Sequence, residues 1–201
     1  MDIEKIPLIA GHPALDFVNT VEGRGTGTEL NYLPDYRSLL SWSVRAGLIP
    51  ASSGRALARA AAKHPSAARQ EWARAMALKE CLNRIVRSVA ESESPPPRVA
   101  AEFNALLTQA LANRRLEFSP GKAIDWTWSP RKAPAAALET IIWEIVLSAA
   151  TLLADGARTK LIKICANGPC DWVFLDTSRS GHRRWCRMAV CGNALSSSAA
   201  R

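Results

Sequence analysis

Four of the chain's five cysteines fall between Cys165 and Cys191, as Cys165-x4-Cys170, fifteen intervening residues, then Cys186-x4-Cys191. Two close pairs separated by a loop are what a tetrahedral thiolate site needs, because two tight turns can each present two sulfurs to one ion. Asn167-Gly168-Pro169 supplies turn chemistry inside the first pair. The segment carries too few apolar residues to fold unaided, so the expected cofactor is a structural zinc held by Cys165, Cys170, Cys186 and Cys191. Two disulfides are the alternative, and a reducing compartment disfavours them. A catalytic zinc is disfavoured because four thiolates close the coordination sphere. His182 competes as a ligand, but it sits in an Arg/Ser/Gly-rich loop and the four cysteines suffice without it.

The remaining sequence reads as a helical body. With 201 residues, 48% hydrophobic and 22% charged, the chain has room for one globular domain and a small appendage. Between Pro13 and Gly47 we expect short helices separated by a glycine-rich connector at 22–29, with Asp35 capping the second helix. Helices are expected at 52–63, 66–92 and 99–113, the second ended by Pro95-Pro96-Pro97. Its stripe of Leu78, Cys81, Leu82, Ile85, Val86 and Val89 makes Cys81 a buried structural thiol. Leu116 and Phe118 alternate with polar residues, as do Ile124, Trp126 and Trp128, around a Ser119-Pro120-Gly121-Lys122 turn, which predicts a β-hairpin. A core helix at 134–154 follows, and Asp155-Gly156 marks a boundary. The fold class is therefore mainly α: a helical domain at 1–154 with a small hairpin, then a four-cysteine finger at 155–201 of treble-clef or ribbon type. Alternation of Trp172 and Phe174 predicts a strand with one face packed under the finger's turns.

A formal charge of +8 favours acidic partners such as nucleic acid. Residues 155–201 hold eight Lys/Arg against three Asp/Glu, and a zinc with four thiolates subtracts about two charges from that excess. Lys160, Lys163, Arg179, His182, Arg183 and Arg187 are the candidate phosphate contacts, aided by Ser178 and Ser180. Arg184 and Arg187 could equally offset the charge of the zinc site. In the body, His12, Asp16 and Asn19 lie at helical spacing and are candidates for one ligand pocket, with capping as the plainer role. No catalytic set is recognisable, so an enzyme is not expected. Glu139 and Glu144 interrupt the most apolar stretch, and residues 1–5 lack the pattern of a secretory signal. No membrane partner is expected, and the expected location is the cytoplasm.

The segments Trp172-Val-Phe-Leu-Asp176-Thr-Ser-Arg179 and Arg184-Trp185-Cys186-Arg-Met-Ala-Val-Cys191-Gly192-Asn193 resemble the signature of the CGNR zinc-finger family. Gly11-His12-Pro-Ala-Leu15-Asp16-Phe-Val-Asn19-Thr20 resembles the opening motif of the helical ABATE domain that precedes this finger in many bacterial proteins. The resemblance implies a zinc-binding, DNA-binding finger on a stress- or ligand-responsive transcription regulator. One departure matters: Ala194 stands where the family name puts arginine, which removes an expected phosphate contact.

Two functions follow as expectations. The first is a DNA-binding transcriptional regulator whose helical domain senses a ligand or stress signal, acting as a homodimer because one small finger gives too few contacts. The second is a zinc-stabilised protein-interaction module without nucleic-acid binding.

Overall fold

The computed structural model describes residues 3–24, 26–118, 120–121, 123–129 and 134–193. Ala194 and the tail beyond it lie outside the described residues, as do Ser119 and Lys122 of the expected turn.

Helix starts follow capping chemistry. Helix α1 (Pro13–Val18) begins at His12, whose Nδ1 accepts from the Ala14 N–H at 3.3 Å. In α2 (Tyr36–Arg45), Asp35 and Ser38 cap one another's backbone reciprocally. Helix α3 (Ala51–Lys63) follows Pro50, and α4 (Pro65–Ala90) and α5 (Pro97–Asn113) each open on a proline, whose missing N–H costs nothing in a first turn.

The glycine-rich stretch is a hairpin connection rather than a link between helices. Strand β1 (Val21–Glu22) pairs antiparallel with β2 (Leu30–Asn31), Val21 facing Asn31. Gly23 turns the chain at φ +70°, and the Thr26 hydroxyl donates to the Gly23 carbonyl at 2.7 Å. The predicted hairpin is present: β3 (Arg114–Glu117) pairs with β4 (Asp125–Trp128), Leu116 facing Trp126. The expected helix at 134–154 is divided. Residues Pro134–Glu139 form a 3₁₀ segment, and α6 spans Thr140–Ala154. The Thr140 hydroxyl donates to the Ala137 carbonyl at 2.8 Å, occupying an acceptor near the junction.

Helix α6 is long and apolar enough, with the turn before it, to cross a membrane by composition alone. Here Ile141, Ile142, Ile145 and Val146 of α6 form the centre of the core, against α1 and α5. Leu78, Cys81, Leu82, Ile85 and Val86 of α4 are buried in the same core.

The C-terminal segment adds α7 (Gly156–Thr159) and strands β5 (Ile162–Ile164) and β6 (Val173–Leu175), paired antiparallel. Only one face of this region was expected to be covered. Instead Trp172, Val173, Phe174 and Leu175 are all buried, because β6 lies between the cysteine turns and α1. The cysteine segment and the helical body share one continuous core.

Lys79 of α4 is 1% exposed, donates to Asn31 Oδ1 at 3.0 Å, and lies 5.5 Å from the Phe17 ring centroid. Burial, with the nearby Arg24 charge adding to it, lowers its amine from the ordinary 10.5 to about 7. The unfolded chain then binds a proton that the folded chain gives up between those values, so this residue's contribution to stability rises as pH climbs from about 7 toward 10.5. Lys79→Met is expected to stabilise the fold at pH 7 by more than about 1.4 kcal/mol, one pH unit of pKa displacement, and to flatten that rise. Urea melts across the pH range check both effects.

Candidate metal centre and basic cleft

The first cysteine turn closes the β5–β6 hairpin. The Cys165 N–H donates to the Trp172 carbonyl at 2.7 Å, and the Cys170 N–H to the Asn167 carbonyl at 2.8 Å, within the Asn-Gly-Pro turn. Cys186 arrives beside it, its N–H directed at Cys165 Sγ at 3.4 Å, and Cys191 sits on one π-helical turn (Met188–Gly192). Gly192 leaves room there for the exposed Met188 thioether, which packs where a Cβ would stand. The four Sγ atoms lie within 4.8 Å of one another. Cys170 and Cys186 are 3.5 Å apart and Cys186 and Cys191 3.6 Å, too far for disulfides, and all four thiols are free. A tetrahedron with Zn–S of about 2.3 Å has S···S edges of about 3.8 Å, so the cluster has the dimensions of a ZnS₄ site.

The chemistry of the donors agrees. Contact with Cys186, together with burial, drives the Cys170 thiol well above its ordinary range. Four thiolates this close need a cation between them. Cys165, Cys170, Cys186 and Cys191 are the residues that would hold a structural zinc, and four thiolates would close its coordination sphere.

The site is tied to the body through α1. Asn19, at the C-cap of α1, accepts from the Val173 N–H at 2.9 Å and donates to the Val173 carbonyl at 2.8 Å. Leu175 N–H donates to the Ala10 carbonyl at 2.8 Å, and Trp172 Nε1 to the Val21 carbonyl at 3.0 Å. Asp171, directly after Cys170, adopts φ +51°, and the Arg87 guanidinium donates to its carbonyl at 3.3 Å. The structure thus gives the three candidate pocket residues separate partners. His12 caps α1, Asp16 accepts from the Ala10 N–H at 2.9 Å, and Asn19 grips β6. Burial raises the Asp16 carboxyl to about 6 against that hydrogen bond. His12 does line a recess of about 350 Å³ with Arg114, Glu144, Ser148 and Thr151, but Asp16 and Asn19 are not among its walls.

The basic residues divide into two groups. Lys163 Nζ donates to Asp176 Oδ2 and to the Gly181 carbonyl, both at 2.6 Å. Arg183 donates to the Trp185 carbonyl at 3.0 Å and to the Cys186 carbonyl, and its guanidinium lies 4.3 Å from the Phe174 ring centroid. The Arg183 N–H and Ser178 also donate to Asp176, which is 2% exposed. The Lys163 ammonium, then the Ser178 hydroxyl, hold that carboxyl far below its usual range. Lys163 and the Arg183 backbone hold the 177–183 loop, because a buried carboxylate demands donors around it, while the Arg183 side chain also borders a cleft at Cys186. Lys160, Arg179, His182 and Arg187 are exposed.

Arg184, which the sequence reading did not place among the phosphate contacts, is also exposed, with its guanidinium 5.4 Å from the Trp185 ring centroid. This cleft, of about 700 Å³, is walled by Ser178, Ser180, His182, Arg183, Arg184, Arg187 and Met188 together with the zinc ligand Cys186, with Lys160 and Arg179 outside it. Arg184 follows directly on Arg183, and no sequence signal tells which of two adjacent arginines turns outward.

The purified chain is expected to carry about one zinc, measured by elemental analysis. Cys186→Ser should lose the metal and lower the melting temperature of the helical body as well, since β6 belongs to both cores; a variant melting like the wild type would contradict the shared core. Asn19→Ala leaves two buried backbone groups of Val173 unpaired and should cost about 2–4 kcal/mol while speeding zinc transfer to a chelator.

A family model described as "ABATE: Putative stress-induced transcription regulator" matches residues 11–156, and a CGNR zinc-finger model matches residues 162–201. No curated protein matches the chain. The ABATE match spans most of the body built around α1 and α6, and the CGNR match contains the four thiols. The chain therefore belongs to the ABATE family and carries a C-terminal CGNR zinc finger.

Proposed function

We propose that this chain is a DNA-binding transcriptional regulator rather than an enzyme, in which the zinc site fixes a basic cleft against a phosphate backbone. The cleft carries this reading. Arg184, Arg187 and His182 line it together with two serine hydroxyls, beside a metal site that immobilises Cys186 between them. Lys163 and Arg183 contribute by holding the loop in shape. A four-thiol metal site suits a reducing compartment such as the cytoplasm, where a regulator would meet DNA.

The helical body supports a sensing role through a mechanical path. A small molecule in the recess at His12 would press on the cap of α1, and the same helix ends at Asn19, which holds β6. Burial, with the Arg158 charge adding to it, lowers the His12 imidazole to about 4, so at neutral pH it offers that ligand a hydrogen bond without a charge.

A second reading, a protein-interaction module, is favoured by Met188 and Val190, which are 59% and 49% exposed beside the cleft. Fluorescence anisotropy with duplex DNA over a salt series separates the two. With about three phosphate contacts, log affinity should fall against log salt with a slope of roughly −2.7, and Arg184→Ala/Arg187→Ala should flatten it by about two contacts. Ala194→Arg is expected to strengthen binding. Zinc-loaded chain without duplex affinity at low salt, and without rescue by Ala194→Arg, would leave the interaction module as the better reading.

A further inference from the structure

The β3–β4 hairpin takes no part in the basic cleft, and its two faces differ in kind. The register sets Arg114 against Trp128 and Leu116 against Trp126. Alternation then places Leu116, Phe118, Ile124, Trp126 and Trp128 on one face, and Arg115, Glu117, Asp125 and Thr127 on the other. At its base the apolar face is covered. Trp128 lies 5.0 Å from Trp143 of α6, and its Nε1 donates to Glu144 at 2.8 Å. Toward the tip the same face is bare, with Leu116 42%, Ile124 60%, Trp126 56% and Phe118 71% exposed. Four large apolar side chains together on one surface mark a contact site.

The backbone says what kind of contact. Ser129 N–H donates to the Asn113 carbonyl at 2.7 Å, which fixes the phase of the ladder. Arg115 and Glu117 therefore turn their backbone groups toward β4, whereas Leu116 and Phe118 turn theirs toward the outer edge of β3. Among the described residues no strand pairs with that edge. An open edge beside an apolar face is a template for another strand.

We propose that a second copy of this chain occupies it, the two β3 edges pairing antiparallel about a two-fold axis at Leu116. The strand is self-complementary about that point. Leu116 faces Leu116 with outward-turned backbone groups, so the two exchange hydrogen bonds. Arg115 of each copy faces Glu117 of the other, giving two ion pairs on the polar face. Phe118 of each copy faces Arg114 of the other, where the guanidinium already lies 4.8 Å from the Trp128 ring centroid. Each bare tip thus lands beside the other copy's covered base. The Arg114 N–H closes α5 onto the Leu111 carbonyl, so the outer bonds run from the Phe118 N–H to the Arg114 carbonyl. This pairing does not rest on DNA binding.

Sedimentation equilibrium of the zinc-loaded full chain over a concentration series tests the pairing. The wild type is expected to dimerise. Glu117→Arg or Arg115→Glu sets like charges opposite one another twice and should weaken the dimer roughly tenfold, while the combined Arg115→Glu/Glu117→Arg exchange should recover it. Phe118→Ser, at a position outside the core, should weaken it too, with circular dichroism and zinc content unchanged. A chain monomeric at every concentration, a dimer indifferent to the single reversals, or an exchange that fails to recover it would overturn the proposal. A monomer that co-sediments with lipid vesicles would overturn it in favour of a membrane surface.

Discussion

The reciprocal pair of hydrogen bonds between Asn19 and Val173 joins residues 154 positions apart, and the other contacts of the C-terminal segment fall into place around it. Strand β6 has both faces buried, so its backbone groups have no access to water and must find partners within the protein. Strand β5 takes one edge. On the other, a single side-chain amide supplies both a donor and an acceptor at the end of α1, and Ala10 accepts the next N–H. Each such bond is worth only about 1 kcal/mol net, but leaving either partner unmade would cost about 1–3 kcal/mol. That asymmetry makes the zinc-bearing segment and the helical body one folding unit in energetic terms, although family models match them separately.

A similar asymmetry organises the basic loop. Asp176 is buried and ionised, so it gathers Lys163, Ser178 and the Arg183 N–H around itself. The loop is thereby closed from within, and Arg184 and Arg187 are displayed along the cleft. The frame fixes the backbone beside Arg184, so less backbone freedom is left to lose on any contact made there. A zinc held by the four thiols would act in the same sense, fixing Cys186 between Arg184 and Arg187.

Trp128 and Arg114, against Trp143 and Glu144 of α6, anchor the β3–β4 hairpin to the body. Arg114 lies 3.3 Å from Glu144 and covers the inner tryptophan, while Glu144 accepts from the Trp128 indole. The base of the hairpin is thereby held against α6, while Phe118, Ile124 and Trp126 toward its tip stay exposed.

Local chemistry in the sequence sufficed for the zinc ligands, most helices and the β3–β4 hairpin. Thiolate spacing, proline and glycine stops, and the 3.6- and 2-residue periods act over a few residues and need no knowledge of the rest of the chain. The glycine-rich connector was misread because β1 and β2 hold only two residues each, too few to show a period. What only the tertiary structure decided is which polar groups are turned inward. Asp16, Asn19, Lys163 and Arg183 have the same composition and spacing as a pocket or a phosphate grip. Their roles depend on distant partners, Val173 for Asn19 and the buried Asp176 for the two cations, and burial is a property of the assembled core that no local pattern encodes.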